Sequence, residues 1–392
     1  MRISGRVVVA SAERVQRLPA PFLGEMADLQ AAQLRRGRPV VDLGRFALRR
    51  EPADQSAHPI TEPAIRRVLA EYLASEYEVK LDPQREMLLM PGTKIALLLL
   101  NAYLADADAV YHVPDPGYLS YRVFATLFGA QIKPYPLYQR NDFLPNLEQF
   151  RARGARSFGV LLVNSPHNPT GAVCDKEFYR RLHKCAVESN LLTIVDSSYA
   201  LSFAGNFQPP LLCQTPRNLR TGLELISFST SLLAPELKLT ALIGRKTLIQ
   251  PLAALARSLS FEVPQPVIRS AAAYLRDADT LRAQIAGCRN EIAQRMTIVT
   301  DKLRSAGIEY FPTAGCGFVW VQLRHRRVAV NFARSLLRSK GVLVAPGSAF
   351  GENGEGWIRI SANVGGEELA AALDQFVRHY QPIRSRLHAR QK

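Results

Sequence analysis

The stretch Val160-Leu161-Leu162-Val163-Asn164-Ser165-Pro166-His167-Asn168-Pro169-Thr170-Gly171 decides the reading of this chain. Its first part is a short apolar run of the kind that forms a strand buried on both faces. Its second part is built from Asn, Pro, Thr and Gly, which turn a chain and do not continue a ladder. The same alternation recurs on either side. Strand-like apolar runs lie near 108–113, 131–136, 158–163, 191–195, 223–228 and 239–243, with helical spacing near 119–128, 147–153, 175–189 and 246–258. That pattern predicts an α/β fold with a mostly parallel sheet sandwiched by helices. Ligands of such sheets bind beyond the carboxyl ends of the strands, so the informative residues should stand just after each strand.

Further out, residues 64–78 have helical spacing, and Met87 to Leu100 reads as a strand, a Pro-Gly turn and a buried helix. The pattern changes after Pro264-Gln265-Pro266. A long helical stretch from about 267 to 306 is followed by short strands near 308–311, 317–323, 341–345 and 357–361, with helices near 329–339 and 366–380. This layout predicts a large domain over 40–265 and a smaller α+β domain formed by 1–39 with 266–392.

Composition narrows the class. The chain has 392 residues, 47% hydrophobic and 21% charged, enough to bury a large core without staples. No apolar run is long enough for a membrane helix, and the start lacks the core and cleavage site of a signal peptide, so a cytoplasmic location is expected. Cys174, Cys185, Cys213, Cys288 and Cys316 are scattered and odd in number, which fits reduced thiols, and the seven histidines show no metal-binding spacing. The net charge of +16 could serve an acidic partner, and Arg35, Arg36 and Arg38 cluster, as do Arg384, Arg386, Arg390 and Lys392. The arginines are otherwise spread widely and no nucleic-acid motif accompanies them, which argues against nucleic acid and for a solvated basic surface.

Five loops and one strand carry the chemistry. Pro91-Gly92-Thr93-Lys94 stands at a strand-to-helix junction, where backbone N–H groups make an anion site. Pro114-Asp115-Pro116-Gly117-Tyr118 offers an aromatic face, although alone Tyr118 reads as a packed tyrosine. Asn164 to Gly171 follows, then Val195-Asp196-Ser197-Ser198-Tyr199. Later come Pro346-Gly347-Ser348-Ala349-Phe350-Gly351 and Trp357-Ile358-Arg359-Ile360-Ser361.

In this order these segments resemble the class I/II aminotransferases of pyridoxal-phosphate fold type I, over about residues 40 to 380. The resemblance implies a seven-stranded sheet, a homodimer, and a substrate bearing a carboxylate, such as an amino acid or 2-oxo acid. It implies that Gly92, Thr93 and Lys94 cradle the cofactor phosphate, that Tyr118 stacks on its ring, and that Asn168 bonds its phenolic oxygen. Asp196 would hold the ring nitrogen protonated, which makes the ring an electron sink, with Tyr199 beside it. Arg359 would grip the substrate carboxylate through its planar fork.

The resemblance breaks most sharply at one segment. The family pattern S-x-S-K-x-x-x-x-P-G-x-R-x-G meets Ser227-Phe228-Ser229-Thr230 here, with Pro235 and Lys238 downstream. Ser227, Ser229 and Pro235 align without a gap. Thr230 takes the place of the lysine that tethers the cofactor and moves the proton, and Lys238 that of the phosphate-binding arginine. The threonine hydroxyl cannot form an imine with the aldehyde and is too weak a base near neutral pH. Neither Lys94 nor Lys238 is expected to replace the lysine. Ser197 stands where the family carries an acidic residue, His58 where it carries a tyrosine, and Gly44 to Pro52 is a shortened substrate loop. Two readings follow. In one, an atypical aminotransferase-like protein holds pyridoxal 5′-phosphate or pyridoxamine 5′-phosphate non-covalently, or performs altered chemistry in the same pocket. In the other, a non-catalytic relative binds a carboxylate or serves as a partner subunit.

Overall fold

A computed structural model describes residues 13–18, 22–45, 49–50, 60–151, 158–205, 207–313, 315–323, 329–362 and 364–388. Thirteen strands occur among them. The first is β1, Val41–Asp42, followed by β2 (Met87–Met90), β3 (Val110–Asp115), β4 (Gln131–Pro136) and β5 (Gly159–Asn164). Next are β6 (Leu191–Asp196), β7 (Gly222–Ser227), β8 (Thr240–Ile243), β9 (Tyr310–Phe311) and β10 (Phe318–Gln322). The last three are β11 (Val342–Leu343), β12 (Ala345–Pro346) and β13 (Trp357–Ser361).

Seven of them form the central sheet in the order β2-β8-β7-β6-β5-β3-β4. Strand β8 pairs antiparallel with both neighbours, and the remaining pairs are parallel. Every residue of β2, β5, β6, β7 and β8 is buried. This explains why they read as continuous apolar runs and not as alternating ones. Two cores lie on the two faces: Val160, Leu162 and Ile194 point to one, and Leu161, Val163 and Val195 to the other.

The remaining strands make a four-stranded antiparallel sheet, β12-β13-β10-β9, and a parallel pair, β1-β11. A third core belongs to this part, with Val319, Val321, Ile358, Ile360, Phe332 and Phe376. The helical stretch expected from 267 to 306 is two helices, Gln265–Ala271 and Ala278–Ser305. The second starts at Asp277, whose carboxylate accepts a bond from Thr280 N at 2.7 Å and restarts the helix as an N-cap. Of the helix expected near 147–153, the described residues form one 3-10 turn, Leu147–Phe150, with the Asn146 side chain accepting from Glu148 N, and 152–153 lie outside the described residues.

The register matters most for function. Asn164 lies beside Asp196, Asp196 beside Leu225, Ser227 beside Thr240, and Thr240 beside Met90. The carboxyl ends of β2, β5, β6 and β7 therefore open onto one region, where the sequence motifs stand.

Candidate active site

Gly92 caps the helix Thr93–Leu104 with φ +93°, a conformation that favours glycine. The helix N-terminus faces a cavity of about 490 Å³, within the range of small-molecule pockets. Gly92, Thr93, Lys94, Tyr118, Ser227, Ser229, Thr230 and Lys238 all line it. Eight of the twelve residues singled out in the sequence thus share one cavity, and the other four, Asn168, Asp196, Tyr199 and Arg359, form a bonded cluster joined to it. The join runs through Thr93 Oγ1, which lies 3.3 Å from Ser198 Oγ and 3.2 Å from Thr240 Oγ1.

Asp196 sits at the end of β6 on the face of Leu192 and Ile194. Its Oδ1 accepts from Ser198 N at 3.0 Å and from Ser198 Oγ, and its Oδ2 accepts from Tyr121 OH at 2.7 Å. Burial raises the Asp196 carboxyl above its ordinary value, opposed by the Ser198 and Tyr121 bonds. The Tyr118 ring packs edge-to-face on Tyr121, with centroids 5.5 Å apart. Neither Tyr121 nor Ser198 was marked as functional by the motifs. Their signal is positional: Tyr121 is one helical turn past Tyr118, and Ser198 is two residues past Asp196.

Asn164 Nδ2 donates to Asp196 O at 2.6 Å and its Oδ1 accepts from Asn168 N at 2.7 Å, tying the β5 and β6 loops together. Asn168 then faces both parts of the molecule. Its Oδ1 accepts from Arg359 Nη1 at 2.6 Å, and its Nδ2 lies 3.5 Å from Tyr199 OH. Tyr199 packs edge-to-face on Phe318 at 5.1 Å, and burial raises its hydroxyl pKa.

Arg359 projects from β13 opposite Ile358 and Ile360, which fill the third core. Its Nη2 donates to Gly44 O at 2.6 Å, and its guanidinium lies between the rings of Phe318 and Phe350, 5.1 and 4.9 Å from their centroids. It is buried, its Nε has no hydrogen-bond partner among the described residues, and the Asp42 carboxylate acts on it electrostatically without a direct bond to it. A buried cation without a directly bonded anion is costly unless a ligand supplies one.

Thr230 belongs to the short helix Phe228–Ser231, capped by Ser227. Its Oγ1 lies 3.0 Å from Ser227 Oγ, and its N donates to the same oxygen at 3.2 Å. Ser229 Oγ accepts from Leu239 N at 2.7 Å. Lys238 has φ +46°, unusual for a residue with a side chain. Its side chain runs past Gly92, where its Cδ would lie 3.9 Å from an added Cβ. Lys94 and Lys238 are the two amines on the cavity wall among the described residues. His58 and most of the segment 44–52 lie outside the described residues.

These donors fit a phosphorylated pyridine: a helix N-terminus, hydroxyls and Lys238 at one end, and a buried carboxylate with an aromatic neighbour at the other. They do not offer a lysine at position 230. The sheet order and the site at its carboxyl ends define a transferase of fold type I. A family model for aminotransferases of class I and II matches residues 33–376, and the chain belongs to that family. Membership implies pyridoxal 5′-phosphate as the cofactor. The LL-diaminopimelate aminotransferase of Desulforudis audaxviator is 31% identical over 313 residues, 80% of this chain and 79% of that protein. That of Natranaerobius thermophilus is 25% identical over 386 residues, covering 94% and 99%. Among solved structures, substrate-bound BacF from Bacillus subtilis matches with a TM-score of 0.83 at 22% identity, covering 95% of this chain and 98% of that one. The N-succinyldiaminopimelate aminotransferase of Mycobacterium tuberculosis matches with a TM-score of 0.83 at 22% identity, covering 94% and 100%. These two likenesses speak to the fold.

Proposed function

We propose that this protein acts on an amino acid and its 2-oxo acid as an atypical aminotransferase, holding pyridoxal 5′-phosphate or pyridoxamine 5′-phosphate without a covalent tether. The observation that carries the reading is the ring-facing cluster of Tyr118, Tyr121, Asp196 and Asn168 beside a cavity that has Thr230 where the family has lysine. When bound, the cofactor supplies an electron sink for chemistry at the substrate Cα.

The chain's own residues do the rest. Gly92, Thr93, Ser229 and Lys238 would hold the phosphate, Lys238 as a point charge without arginine's fork. Asp196 would hold a proton on the ring nitrogen, since its anionic form gains a partner there. Arg359, from the unit formed by 1–39 with 266–392, would hold the substrate carboxylate over the ring site of the 40–265 unit. Asn168 and the Gly44 carbonyl keep its guanidinium oriented. Thr230 contributes a hydroxyl bonded toward Ser227 and no base. The names of the similar proteins favour a diamino dicarboxylic acid of the LL-diaminopimelate kind as substrate. A homodimer completes the assembly, as is usual in the family.

A second reading rests on the same threonine: a non-catalytic relative that binds a carboxylate at Arg359. Thr230→Lys separates the two. If the pocket is otherwise intact, the variant acquires a visible absorbance band with pyridoxal 5′-phosphate and a borohydride-stable mass increase at residue 230. A folded variant that gives neither signal means the ring site no longer takes the cofactor, and the second reading stands.

A further inference from the structure

Ser197, which replaces the acidic residue usual after the ring aspartate, is explained by the next strand. Glu224 lies in the middle of β7 and is fully buried, flanked by Leu223, Leu225 and Ile226. Strand alternation puts Asp196 on one face of the sheet and Ser197 on the other, together with Glu224. Glu224 Oε1 accepts from Ser197 Oγ at 2.6 Å and from Leu212 N at 2.9 Å, and Oε2 accepts from Cys213 N at 2.9 Å. A single carboxylate therefore fastens both ends of the segment that leaves β6, the segment that carries Ser198 and Tyr199. A buried carboxylate is tolerated where such donors surround it.

We propose that Glu224 is a positioning residue that has taken over, from the neighbouring strand, the carboxylate missing at Ser197, and that it holds Asp196, Ser198 and Tyr199 in place. No side chain of Glu224 reaches the cavity, so it acts through Ser197 and the Leu212–Cys213 turn. Its effect on cofactor geometry rests on the function proposed above, whereas the clamp itself does not.

The test compares wild type with Glu224→Gln, Ser197→Glu and the double variant Ser197→Glu/Glu224→Ser. In Glu224→Gln one carboxylate oxygen becomes an amide that faces an N–H donor, so one buried amide loses its acceptor. Hydrogen exchange in peptides over 196–203 and 211–214 then rises by about tenfold, while exchange in the helix Ala278–Ser305 does not change. Ser197→Glu alone sets two carboxylates in one buried site and lowers the urea midpoint. The double variant recovers at least half of that loss and restores exchange over 196–203. Binding of 4-deoxypyridoxine 5′-phosphate, which has no aldehyde and needs no lysine, weakens about tenfold in Glu224→Gln and returns in the double variant. A uniform rise in exchange, or no recovery in the double variant, overturns the proposal. Local loosening with unchanged probe affinity overturns the positioning role. If wild type does not bind the probe, the proposed function fails while exchange and stability still decide on the clamp.

Discussion

Replacing Tyr121 by Phe isolates the electrostatics of the ring site. The change removes one hydroxyl, which donates to Asp196 Oδ2 at 2.7 Å, and leaves the ring packed edge-to-face on Tyr118. A bond to an ionised acceptor contributes about 1.5–3 kcal/mol and a neutral one about 1 kcal/mol. The difference favours the ionised form, so losing the hydroxyl moves the Asp196 pKa further in the direction in which burial already holds it. The sign follows from the direction of the existing shift. Burial already holds Asp196 above its ordinary value, so its contribution is fully present below the unfolded-state pKa and is lost as pH rises through the folded one. The variant prolongs that loss. Its stability penalty relative to wild type should therefore be about 1 kcal/mol where Asp196 is protonated and about 2 kcal/mol where it is ionised, so the penalty grows as pH rises, read by urea unfolding without cofactor over a pH series. A penalty that stays flat, or shrinks as pH rises, would refute the claim that the Tyr121 hydroxyl favours the ionised form of Asp196.

Arg359→Gln removes a buried cation whose hydrogen bonds run to neutral acceptors, Asn168 Oδ1 and Gly44 O. Stability without ligand should change by less than about 1 kcal/mol, while affinity for a carboxylate ligand measured by calorimetry should fall by about 2–4 kcal/mol. A large loss of stability with unchanged affinity would make the residue structural. Gly171→Ala places a Cβ 1.9 Å from Thr313 Oγ1 at φ +80°, and should cost more than about 2 kcal/mol in a urea titration, partly recovered by Thr313→Ala. Asp277→Ala deletes the cap of the helix Ala278–Ser305 and should cost about 1 kcal/mol, visible as a lower thermal midpoint.

The sheet was legible because β5, β6 and β7 are buried on both faces and so are written as mainly apolar runs with turn chemistry at each end, Glu224 in β7 being the exception. The loops were legible because their residue types are dictated by backbone geometry and by the ligand end of the sheet, as at Gly92. Other features depend on contacts distant in sequence. Tyr121 reaches Asp196 across 75 positions, and Arg359 reaches Asn168 across 191. The break in the helical stretch after Ala271 hides in continuous helical spacing, and only Asp277 with Thr280 marks the restart. Glu224 looks out of place in an apolar strand until Ser197, Leu212 and Cys213 are brought to it by the fold.

The central claim is that this site keeps the cofactor's ring position without its covalent anchor. Wild-type protein titrated with pyridoxal 5′-phosphate, followed by visible absorbance, then treated with borohydride and weighed intact by mass spectrometry, tests it directly. The account predicts saturable binding that dialysis reverses and a reduced protein with no added mass. A stoichiometric adduct on any lysine, or no binding, would contradict it.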